Sequence, residues 1–121
     1  TLSALTDATN GYSITIQGDT LSAGTTTIAG LGSTSSTSNV GTEQFGIRLT
    51  ASGGSGSVNT PYATVLYAFG ASSSTAVQVA SSTVGDSATT TFSLRYLLNI
   101  APTTPAADYS TNLVYVATAN F

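Results

Sequence analysis

Apolar and polar residues alternate with a two-residue period over much of this chain, the pattern of strands that bury one face. Tyr12, Ile14 and Ile16 alternate with Ser13, Thr15 and Gln17 between Gly11 and Gly18. Phe45, Ile47, Leu49 and Ala51 alternate with Gly46, Arg48 and Thr50. Phe92, Leu94, Tyr96, Leu98 and Ile100 alternate with Ser93, Arg95 and Asn99. Residues 62–69 and 113–116 are apolar on both sides, which predicts central or interface strands covered on two faces. Residues 20–21 with 25–29, and residues 75–80 with Val77 and Val79, add weaker strands. Gly, Ser, Thr and Asn dominate residues 30–41, 52–59, 70–74 and 81–90, which are predicted loops. No stretch carries a capped helical period. The last thirty residues, 92–121, predict a hairpin-like closure of two strands around residues 101–108, stiffened by Pro102 and Pro105. The sum is an all-β fold, an antiparallel β-sandwich of about seven strands, jelly-roll or immunoglobulin-like.

Composition narrows what such a sandwich can do. At 121 residues and 12.1 kDa the chain supports one core, so residues 11–121 are read as a single domain behind an extension of residues 1–10. Charged residues make up 6%, and the 18 Ser and 23 Thr instead provide a hydroxyl-rich exterior. A net charge of −3 with regularly spaced Val, Ile, Leu, Tyr and Phe argues against disorder. The chain has no His, Cys, Lys, Trp or Met. A serine triad therefore lacks its base, and Ser87 reads as a turn residue. Asp7, Asp19, Glu43, Asp86 and Asp108 show no spacing that enforces a glycosidase pair, and no calcium loop is present. The expectation is no enzyme, with no catalytic, cofactor or metal residues. Arg48 and Arg95, the only cations, cannot form a basic patch, which excludes nucleic acid. No apolar run approaches the roughly 20 residues of a membrane span.

The six tyrosines fall mostly in predicted strands, where core packing with a bonded hydroxyl outweighs a sugar platform. The threonine runs lack the repeat an ice-binding surface needs. Ser33 to Ser38 can carry O-linked sugar, whereas no acceptor for N-linked sugar occurs. The scarcity of Lys and Glu, together with the hydroxyl surface, suits an extracellular or cell-surface location.

Three segments, NGYSITIQGDTL (residues 10–21), GTEQFGIRLTA (41–51) and YLLNIAPTTPAADYSTNLVYVATANF (96–121), resemble bacterial secreted surface and fibre β-sandwiches. These include the TasA and camelysin type and the WxL type, although the Trp-x-Leu element of the latter is missing. The resemblance implies a structural subunit of an extracellular filament or cell-surface coat. Polymerisation into a homopolymer of identical subunits would proceed by β-strand addition. Residues 1–10, with Leu2, Ala4 and Leu5, are the expected donor, and residues 45–51 or 112–121 the expected acceptor edges. Phe45, Ile47, Leu49, Leu113, Tyr115 and Phe121 are interface candidates on this reading. Arg48 and Arg95 join them as intersubunit charges, against a plainer role in cross-strand balance with Glu43, Asp19 or Asp108. The alternative is a monomeric adhesion or carbohydrate-binding module using the loops at residues 30–41 and 52–59.

Overall fold

In the computed structural model, which describes residues 1–121, the alternation becomes two facing antiparallel sheets with no helix. The strands are β1 (Leu2–Ala4), β2 (Tyr12–Gln17), β3 (Ser22–Ala23), β4 (Thr26–Thr27), β5 (Gly32–Ser36), β6 (Gln44–Ser52), β7 (Ser57–Val58), β8 (Tyr67–Phe69), β9 (Val77–Ser82), β10 (Thr90–Asn99) and β11 (Val114–Ala119). One sheet has the order β1-β10-β6-β8-β5 and the other β11-β2-β9-β7, with β3-β4 a separate ribbon. The count exceeds seven because several strands are only two or three residues long.

The core sits where the predicted apolar faces meet. Tyr12, Ile14, Ile16, Val79 and Ala80 from one sheet pack against Phe45, Ile47, Leu49, Phe69 and Phe92 from the other. Each large side chain fully buried here contributes about 1.5–3 kcal/mol. The longest ladder joins β6 to β10 over nine residue pairs, from Thr91↔Ser52 to Asn99↔Gln44. Gly11, at φ 71°, turns the chain into β2 where a Cβ would run into the Ser82 carbonyl.

Four expectations are corrected. Residues 62–69 do not form one central strand: the first part turns, and only Tyr67–Phe69 joins the sheet. The Thr64 hydroxyl accepts from Leu66 N, while Tyr62 is buried and Val65 is 78% exposed. An apolar run there serves as a one-residue anchor. The closing strands do not form a hairpin either. β10 belongs to the five-stranded sheet and β11 to the other, so the connection crosses the gap of about 10 Å between packed sheets. That crossing is tied down by Thr104 Oγ1 donating to Glu43 (2.6 Å) and by reciprocal bonds between Ser22 and Ser110. Of residues 113–116, only 114–116 join a strand, the edge strand β11, with Val114 and Val116 exposed. Finally, β5 and β7 occupy parts of the segments read as loops at residues 30–41 and 52–59.

Candidate functional site

β1 covers only the first three residues of β10, pairing Leu2↔Phe92, Ser3↔Thr91 and Ala4↔Thr90. Beyond them, residues 93–99 have β6 on one side and no strand on the other. The inner face of β10 opens along the same stretch: Phe92 is 0% exposed, whereas Tyr96 and Leu98 are 54% and 52% exposed. Across from it, β11 is the edge of the second sheet. Between these two edges lies an apolar groove of about 400 Å³ lined by Leu21, Phe45, Tyr96, Leu98, Leu113 and Tyr115, with Thr111 the one polar residue.

Two tyrosines strap this groove. The Tyr96 and Tyr115 hydroxyls meet at 2.9 Å, linking β10 to β11, and the Tyr96 ring stacks on Phe45 at 6.5 Å. Burial, and then the Tyr96 hydroxyl, push the Tyr115 pKa well above that of an ordinary tyrosine. A smaller cleft of about 270 Å³ between β1 and β11 is lined by Ala4, Leu5, Tyr12, Ala117 and Ala119 among others. The side of the sandwich between β10 and β11 is thus filled at one end by β1 and open at the other.

The residues singled out from sequence fall into three groups. Leu113 and Tyr115 line the groove, and Leu2 and Ala4 pack against the core beside it, with Leu5 exposed. Phe45, Ile47 and Leu49 are core residues. The expected acceptor edge at residues 45–51 is corrected, because β6 is paired on both sides and cannot receive another strand. Phe121 is 93% exposed at the end of β11. Nothing in the sequence marks Tyr96 and Leu98 as exposed, since their alternation reads as burial and only the missing neighbour exposes them.

Charges are handled locally. Arg48 donates from Nη1 to the Val65 carbonyl (3.0 Å) and lies 5.2 Å from the Tyr67 ring centre, in place of an ion pair. Asp19 accepts from Ser73 N, and Asp86 accepts from the backbone and hydroxyl of Ser55. The Ser55 hydroxyl lowers the Asp86 pKa. A third cavity, about 370 Å³ and lined entirely by non-apolar residues, surrounds Asp19, Ser73 and Thr111. No group of three or more acidic side chains converges on a metal-sized site. No helix is long and apolar enough to cross a membrane. No protein-family model, curated protein or solved structure matches the chain.

Proposed function

We propose that the protein is a structural subunit of an extracellular filament or cell-surface coat, assembled by β-strand addition between identical copies. The observation that carries this reading is the unpaired edge of residues 93–99 beside the apolar groove. An extended segment there completes the sheet with backbone bonds and lays alternate side chains into the groove. The donor is the segment of residues 1–10. Its hold on its own sheet is three residue pairs, while another copy's β10 offers the seven unpaired residues 93–99.

Energetics assign the decisive part to side chains. A backbone hydrogen bond nets about 0.5–1.5 kcal/mol. That roughly cancels the ~1–2 kcal/mol cost of ordering each donor residue. Apolar side chains entering the groove, worth up to about 1.5–3 kcal/mol each, then decide whether copies join. The edge is also lightly protected, since natural monomers blunt such edges with charged side chains or bulges and this stretch carries Arg95 as its one charge.

Sedimentation velocity and negative-stain microscopy test the proposal. The expected result is polymers whose length grows with concentration. Leu98→Asp, and deletion of residues 1–5, should each give folded monomers, because Leu98 is half exposed in the single chain but covered in the assembly. A strictly monomeric parent chain, or unchanged filaments from Leu98→Asp, overturns it.

A further inference from the structure

On the outer face of the five-stranded sheet, the only two cations of the chain stand opposite each other, Arg95 on β10 against Arg48 on β6. Opposed Cβ atoms in an antiparallel pair lie about 4.5–5.5 Å apart, and like charges at that spacing repel. The carboxylates of Asp19, Glu43 and Asp86 are held elsewhere by Ser73, Thr104 and Ser55. Arg48 is pre-positioned by its bond to the Val65 carbonyl and by the Tyr67 ring, and its Nε is buried without a hydrogen-bond partner. Arg95 is exposed.

Next to this pair, the register places Ser93 opposite Thr50, and then Thr91 opposite Ser52. Side chains two residues apart share a face, so two rungs of hydroxyls follow the paired arginine positions at steps of about 6.6–6.8 Å. Two planar cations on one face suit an oxyanion, which guanidinium groups grip in bidentate fashion. Four adjacent hydroxyls offer donors and acceptors to a polyhydroxylated neighbour. A ligand joining both is an acidic sugar.

We propose that this face binds a chain of uronic-acid residues, with its carboxylates on Arg48 and Arg95 and the sugar hydroxyls on Thr50, Ser93, Ser52 and Thr91. The site lies on the face opposite the groove, so it does not depend on strand addition.

Isothermal titration of the intact chain with a galacturonic acid hexamer tests this, with the neutral galactose hexamer, free galacturonate and sulfate as comparisons. The acidic hexamer is expected to bind and the neutral one not, with affinity falling as salt rises. Arg95→Gln should weaken binding by at least about tenfold, the loss of charge-assisted hydrogen bonds, without lowering the melting temperature. Thr50→Val with Ser93→Ala should weaken the hexamer more than free galacturonate. Equal binding of the neutral hexamer, no effect of Arg95→Gln, or sulfate binding as tightly as the acidic hexamer would each overturn the assignment.

Discussion

Replacing Gly56 by Ala isolates the packing between the two sheets, because Gly56 does not have a left-handed φ and the substitution adds no backbone strain. A Cβ there would run into Tyr12 Oη and lie 2.8 Å from Phe92 Cζ and 2.9 Å from Thr90 Cγ2. All three neighbours are buried and held by both sheets, so none can swing aside. Overpacking of this kind costs about 1–3 kcal/mol. For a domain of this size, that is a fall in melting temperature of about 5–15 °C. Gly24→Ala is the counterpart. Gly24 has φ 62° in the two-residue turn between β3 and β4, with nothing within 4 Å of a Cβ. Its cost, about 1–2 kcal/mol, is backbone alone.

Tyr12→Phe separates the two cases. The Tyr12 hydroxyl is buried near Thr90 and Asp86 without a well-formed hydrogen bond, so removing it is close to neutral by itself. In the Tyr12→Phe background Gly56→Ala should recover part of its loss, a coupling of about 0.5–3 kcal/mol, while Gly24→Ala is unchanged. Urea and thermal unfolding followed by far-ultraviolet circular dichroism measure all five variants. Additive costs for Gly56→Ala and Tyr12→Phe would refute the reasoning, as would a Gly56→Ala cost of only a few tenths of a kcal/mol.

Ile47→Ala and Leu98→Ala remove aliphatic bulk from inward-facing positions of adjacent strands, but Ile47 is 0% and Leu98 52% exposed. Unfolding should show a loss of about 2–5 kcal/mol for the first. For the second the loss should stay under about 1 kcal/mol. Asp86 titrates below its unfolded value of about 3.9, so its contribution to stability is complete above that pH and is lost as the pH falls through the folded pKa. Asp86→Asn should accordingly lower the melting temperature at neutral pH and flatten the acid limb of a melting-temperature profile. Burial raises the pKa values of Tyr12, Tyr62 and Tyr115, so the stability they support is complete below the unfolded value of about 10 and declines as the pH climbs past it. Phenolate absorbance should therefore reveal three tyrosines that ionise late, together with unfolding.

Much of the framework could be read from the residues. The strands at Tyr12–Gln17, Gln44–Ser52 and Thr90–Asn99 follow from alternation, and their inward sets supply most of the core. The run at residues 62–69 misled because apolar content does not separate a covered strand from a turn carrying one buried anchor, Tyr62. Residues 92–121 misled because two strands near in sequence need not share a sheet. The opposition of Arg48 and Arg95 depends on register, since a one-residue slip would send one guanidinium to the inner face.

By itself, the order of residues determined the class of fold, the faces that turn inward, and a chemistry confined to hydroxyls, amides, phenols and a few charges. These are local properties, set by side-chain period and composition. Only the tertiary structure decided that β6 is enclosed while β10 keeps an open flank, that a groove lies between β10 and β11, and that Arg48 and Arg95 occupy opposed positions on one face. Hydrogen-bond partners of a strand come from distant parts of the chain, so which edge is left over is a property of the assembled sheets.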